Sequence, residues 1–235
     1  MRRILLLAVA ALGILSSCRK IHGEGPIVSQ NRAVNPFSGI DMSVSGDVYF
    51  SEAEDVSVEI SAQQNIIDVI QTKLVGGHLV IKVKDGVRLR RHEDITVKVS
   101  GPGVRSLNLS GSGNLSVIGP FNPTYCQLRI SGSGNIQIPQ LTTANLEAWI
   151  SGSGDIRIET GEAHDADLHI SGSGSMDMLH FRVNHAETHT SGSGTIKLHV
   201  TNTLDASISG SGTVYYQGNP LINTKISGSG SVVKF

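Results

Sequence analysis

The tetrapeptide Ser-Gly-Ser-Gly begins at Ser110, Ser131, Ser151, Ser171, Ser191, Ser209 and Ser227, at intervals of 21, 20, 20, 20, 18 and 18 residues. A period near twenty residues, held over seven units, is the mark of a solenoid in which each unit stacks on the next. The flanks of each tetrapeptide alternate apolar and polar residues, as in LRISGSGNIQI and ADLHISGSGSMDM, and alternation of period two is the pattern of a strand. With the units aligned on their first serine, the preceding position holds Leu109, Ile130, Ile150, Ile170, Thr190, Ile208 and Ile226. Five residues after that serine come Leu115, Ile136, Ile156, Met176, Ile196, Val214 and Val232, and two further on Val117, Ile138, Ile158, Met178, Leu198 and Tyr216. These columns share a parity and therefore one interior. Both glycines share it too, while the serines face outward with Asn135 and Gln137. Each tetrapeptide reads as a corner where opposing walls leave no room for a Cβ, or where φ leaves its usual range.

The expected fold is all-β: a parallel β-helix-like solenoid of 18–21 residues per coil over residues 108–235. Coils stacked ~4.8 Å apart make a rod on the order of 30 Å long. The late 18-residue spacings are expected to shorten the variable turn and leave the corner alone. Glycine is abundant (27 residues) and aromatics scarce (4%), which argues against an ordinary sandwich core. Residues 27–107 are less regular. They contain a degenerate unit, Val44-Ser45-Gly46-Asp47-Val48, and strand-like VSVEIS and HLVIKVKDG around QQNIIDVIQTK, whose Ile66, Ile67 and Ile70 fit a helical turn or two. This part is expected to supply the first coils and an N-terminal cap, forming one domain with 108–235.

The N-terminus reads as an export signal over residues 1–17. Arg2 and Arg3 precede the 12-residue apolar stretch Ile4 to Leu15, too short for a bilayer span of ~20 residues and suited to a secretory core. It ends Leu15-Ser16-Ser17-Cys18, which resembles the bacterial lipobox and implies lipidation of Cys18. Residues 18–26 then read as a lipidated tether. With Cys18 acylated, Cys126 has no disulfide partner and reads as a small buried hydrophobe.

The strings NPFSGIDMSVSGDVYF and NIIDVIQTKLVGGHLVIKV, with the many SGSGNI-type units, together resemble the auto-transporter adhesin "head GIN domain" family, found in envelope lipoproteins of Bacteroidetes-type bacteria. The resemblance covers nearly everything after residue 30. It implies a right-handed parallel β-helix-like fold at the cell envelope, and it carries over no catalytic residues.

Chemistry is sparse. No Gly-x-Ser-x-Gly elbow stands in a strand-to-helix setting; Gly-Ser-Gly strings occur only as solenoid corners, and their glycines lack the following helix and lysine of a phosphate loop. A net charge of −1 with no basic face excludes a nucleic-acid footprint. Six residues after the first serine, Arg157, Asp177 and Lys197 alternate in sign, as neighbours on adjacent rungs should. Four residues before it the rule breaks: Glu147, Asp167, Glu187 and Asp205 form an acidic column. Two residues along lie Trp149, His169 and His189, with Arg129 one coil earlier. On a convex wet face the carboxylates splay apart and are screened. Alternatively a hard cation such as Ca²⁺ bridges them, or His169 and His189 favour a transition metal. Trp149, the sole tryptophan, points outward as a glycan- or protein-contact residue, unless a turn folds over it. The other histidines show no metal-ligand spacing.

The reading is of a non-enzymatic envelope lipoprotein without a required cofactor. Its lipid anchor sits in the outer membrane, with the periplasmic face favoured, and its solenoid offers a surface to a glycan or to an envelope or host protein. The alternative is a carbohydrate-active enzyme using the acidic column. The last coil, ending SGSGSVVKF, invites self-association through its open end.

Overall fold

The computed structural model describes residues 19–235, of which 71% belong to strands and only Gln64–Ile67 to a helix. The alternation in the repeats becomes long strands that wrap whole laps. Asn135–Gly152, Asp155–Gly172 and Ser175–Gly192 pair in parallel, each on the next. Ile130 lies beside Ile150, Ile150 beside Ile170, and Ile170 beside Thr190. The three isoleucines are fully buried. The columns five and seven residues after the first serine are likewise interior from Leu115 and Val117 to Val214 and Leu198. Further columns complete the core, among them Cys126, Leu146, Ala166, Ala186 and Leu204, and on another wall Phe121, Leu141, Gly161 and Phe181. Burial pushes the Cys126 thiol far above its ordinary range, which makes it the inert hydrophobe expected.

Two polar residues break the apolar columns. The hydroxyls of Thr188 and Thr190 are buried and unpartnered, a local cost at sites where the adjacent laps carry Leu168 and Ala206 or Ile170 and Ile208.

The corner corrects one expectation. Only the second glycine of each tetrapeptide faces the interior: a Cβ on Gly154 would meet the Gly134 carbonyl and Ile130 Cγ2. The first glycine is required by backbone conformation instead. Gly132, Gly152, Gly172 and Gly192 have φ of +132°, +129°, +127° and +117°, a region that side chains rarely tolerate. A Cβ there would point along the stacking axis at the same glycine's carbonyl one lap earlier. That oxygen is already in use. The carbonyl of Gly132 accepts from Ser153 N at 2.9 Å and Gly154 N at 3.1 Å, so the corner glycines bind each lap to the next.

Shortening falls away from the corner, as expected. Between Met178 and Arg182 three residues have no counterpart in the following lap, while Thr201 and Asn202 stand against Asn184 alone.

The N-terminal part supplies laps out of chain order. Gly39–Met42 and Asp47–Glu52 form a lap around the degenerate corner. They are flanked on one side by Ser106–Gly111 and Asn114–Val117, and on the other by His78–Val83 and Thr96–Gly101. Beyond the outer lap the pairing turns antiparallel. Ser57–Gln63 lies between Thr96–Gly101 and Ile27–Asn31, and Ile70–Val75 pairs with His78–Val83. These strands are the cap. Ile66 and Ile67 are buried in the single helical turn, but Ile70 already begins a strand, so the helix is shorter than the isoleucine spacing suggested.

The segment expected as a tether is partly ordered on the fold: Arg19–His22 pairs in parallel with Val87–Arg90. At the other end, Ile222 and Ile226 are 41% and 45% exposed, although their columns are interior one lap earlier. Cys18 and the residues 1–17 read as an export signal lie outside the described residues.

Candidate binding face and side-chain ladder

A parallel strand at uniform register places equivalent side chains on adjacent rungs, so a column of flat rings becomes a stack. Arg129, Trp149, His169, His189, Ser207 and Lys225 occupy one such column. The Arg129 guanidinium carbon lies 4.1 Å from the centroid of the Trp149 ring, within cation–π range. Trp149 stacks on His169 with centroids 5.5 Å apart and planes 8° from parallel; His169 stacks on His189 at 4.6 Å and 13°. Trp149 therefore does face outward. What covers its two faces is its own column, not a turn, and the ring edge stays in contact with solvent.

Along this ladder from Trp149 to Lys225 runs an open groove of about 640 Å³, lined by the ladder residues of those laps, the first serines Ser151, Ser171, Ser191, Ser209 and Ser227, and the residues between them. The groove offers flat ring edges, hydroxyls and the terminal ammonium of Lys225 in a straight line, repeated once per lap. Such a surface suits an extended ligand with its own repeat, since aromatic edges supply apolar contact and the hydroxyls supply directional bonds.

The acidic column lies on the same face. The structure places Asp167 beside Glu147 and Glu187, and Glu187 beside Asp205. Three of the four carboxylates have a polar side chain of the same face close by. Gln127 Nε2 donates to Glu147 at 3.4 Å, His169 Nε2 lies 2.7 Å from Asp167, and His189 Nε2 lies 2.8 Å from Glu187. A residue two positions along a strand shares the face, so each histidine reaches its own strand's carboxylate. Burial, and then the Glu147 carboxylate, push the neighbouring Tyr125 phenol above its ordinary range. The charge-alternating residues Arg157, Asp177 and Lys197 are in register as expected, though Arg157 leans to Glu159 at 3.8 Å on its own strand.

Two polar clusters went unremarked in the sequence. Asp41 Oδ1 accepts from Asn108 Nδ2 at 2.6 Å and sits 2.9 Å from His78 Nδ1, tying three laps together. On another wall Asn135 donates to Asn114 at 2.9 Å and Asn114 to Asp47 at 2.8 Å. Recurrence of Asp or Asn four residues after the first serine position was the available signal; only the N-terminal lap order hid Asp47's place in it.

A parallel β-solenoid that displays straight side-chain ladders to solvent defines a class of repeat-built proteins. Within that class the chain belongs to the family described as "Putative auto-transporter adhesin, head GIN domain", which matches residues 36–220. Solved structures agree on the fold. One described as a "putative lipid binding protein" from Parabacteroides distasonis is 25% identical, with a TM-score of 0.80 over 92% of this chain and 100% of that one. A "putative adhesin" from Bacteroides fragilis is 22% identical, with a TM-score of 0.86 and the same coverages. Another "putative adhesin", from Parabacteroides merdae, is 22% identical with a TM-score of 0.75, over 92% of this chain and 99% of that one. No curated protein matches the chain. Among the described residues no helix is long and apolar enough to cross a membrane.

Proposed function

We propose that this protein is a non-enzymatic, adhesion-type lipoprotein of the cell envelope. Its solenoid binds an extended glycan along the Trp149–His169–His189 ladder. The observation that carries this reading is the stack itself: three flat rings on successive laps, capped by Arg129, open into a groove lined with serine hydroxyls. Sugar rings present an apolar face and a rim of hydroxyls, and a polymer of them repeats its contacts along a line. Membership of an adhesin family supports a binding role. The carboxylates of the same face support binding more than hydrolysis, because Asp167 and Glu187 are each held against a histidine on an open wall.

A glycan array probed with the purified protein tests this. Saturable binding to one class of extended glycan is expected, with loss of at least about tenfold in affinity for Trp149→Ala, the scale of removing one well-packed aromatic contact. Binding that ignores Trp149, or none to any glycan, removes the proposal. Release of shortened products by the wild type, abolished in Asp167→Asn, would instead establish the carbohydrate-active alternative.

The anchor is proposed at Cys18, supported by the apolar leader and the Leu-Ser-Ser-Cys sequence. Two or more acyl chains hold a protein firmly where one is marginal. The outer membrane, with the domain on its periplasmic face, is the proposed location. Metabolic labelling with palmitate should mark the wild-type chain and leave Cys18→Ser unlabelled and in the aqueous fraction. Label persisting in that variant would rule out Cys18 as the acylated residue.

A further inference from the structure

The acidic column and the histidine column run side by side, but only on two laps do both kinds of residue meet. Beside Glu147 stands Trp149, and beside Asp205 stands Ser207; beside Asp167 and Glu187 stand His169 and His189. The register Asp167 to Glu187 and His169 to His189 sets two nitrogens and two carboxylates at the corners of one small patch. Donor atoms of Asp167, His169 and His189 already lie within 4.8 Å of one another.

We propose that Asp167, His169 and His189, joined by Glu187, bind one divalent transition-metal ion of the Zn²⁺ type. The donor set decides the class. Two imidazoles and two carboxylates suit Zn²⁺, whereas Ca²⁺ needs six to eight oxygens that this patch does not gather. Tetrahedral Zn–N and Zn–O bonds of ~2.0–2.1 Å set neighbouring donors about 3.4 Å apart. The Asp167–His169 and Glu187–His189 contacts, 2.7 and 2.8 Å, must therefore open slightly while the two laps' donors draw together, and side-chain rotation suffices because all four side chains keep one edge in water.

One donor atom has an unmet need. Asp167 Oδ1 is shielded from solvent and has no hydrogen-bond partner, for it meets His169 Nε2 at 2.7 Å but off the line that a hydrogen bond requires. Rotation of the half-exposed Asp167 and His169 side chains toward solvent presents both atoms to one metal ion. Binding has a built-in reporter. An imidazole lone pair lies in the ring plane, so two rings stacked 13° from parallel cannot both aim at one ion. His169 or His189 must turn about its outer torsion, and turning breaks or shifts the stack on Trp149, the only tryptophan in the chain.

The test uses the purified full chain in detergent and metal-free buffer, titrated with Zn²⁺ alone. Calorimetry is expected to show one ion per chain, Trp149 emission to change over the same range, and Tm to rise by a few degrees. Ca²⁺ up to about 1 mM should do none of these, since hard-cation sites need more oxygen donors. His169→Gln and His189→Gln should each abolish saturable binding while leaving the far-ultraviolet circular dichroism unchanged, and Asp205→Asn should retain it. The proposal fails if wild-type calorimetry shows no saturable Zn²⁺ binding, or if either histidine variant binds as tightly as wild type. The two proposals share His169 and His189 but are read by separate experiments: Zn²⁺ binding without glycan binding, or the reverse, overturns one proposal and leaves the other.

Discussion

Replacing Gly172 by alanine is expected to destabilise the fold by about 3 kcal/mol or more. Two separate penalties add. With φ at +127° the residue lies where a side chain costs about 1–3 kcal/mol. A Cβ would also strike the Gly152 carbonyl, which accepts the backbone N–H of Ser173 at 2.9 Å. That neighbour is backbone, held by the lap beneath, and cannot step aside as a side-chain tip could. Gly111 separates the two terms. Its φ is +105°, yet a Cβ there meets nothing within 4 Å, so Gly111→Ala should cost only the conformational part, about 1–3 kcal/mol. Urea denaturation of both variants reads the difference, and equal losses would show that the carbonyl contact is not what reserves the corner for glycine.

Phe181→Ala is expected to cost about 3–5 kcal/mol, the range for emptying a buried phenylalanine site. Phe181 is fully buried and lies next to Gly161 in its column. Phe181 and the two residues before it have no counterpart in the lap above, where the chain passes from Leu198 straight to His199. Nothing on the Gly161 side carries a side chain that could swing in, and the shortened lap cannot move down without breaking its own pairing. The hole should therefore persist. Thermal unfolding of the variant measures it, and a loss below about 1.5 kcal/mol, typical of well-tolerated swaps, would mean that the laps collapse freely onto one another.

How much of this was legible in the chain depends on what each residue's position encodes. The stack of Ile130, Ile150 and Ile170 follows from alternation plus a constant period, because both fix side-chain direction without reference to anything distant. The roles of the two corner glycines do not follow. Parity assigns both to the interior, and parity holds only while φ stays extended; at Gly132 or Gly172 the backbone leaves that region and the rule lapses. The order of the first laps was equally hidden. VSVEIS and HLVIKV alternate alike whether the neighbour is parallel or antiparallel, so nothing local says that Ser57–Gln63 runs against Thr96–Gly101. Ile66, Ile67 and Ile70 fit a helix by spacing, but pairing of Ile70 with Val83 in the sheet prevails after one turn.

The binding face divides the same way. Column membership of Glu147, Asp167, Glu187, Trp149, His169 and His189 was readable, since register alone produces it. The tie of each histidine to the carboxylate two residues before it depends on rotamers and was not. Nor was the stack. Adjacent rungs guarantee that Trp149 and His169 are neighbours, whereas the near-parallel ring planes come from packing under the Arg129 guanidinium.

The threading of the first laps sets a timetable for assembly. Residues 39–52 are sandwiched between two segments that both come later in the chain. As the polypeptide emerges amino end first, this stretch waits unpaired until its outer companion at 78–101 arrives, and the first regular corner then docks on a platform already closed off on its far side. Growth thereafter has one direction open to it, and every new rung finds a finished template beneath.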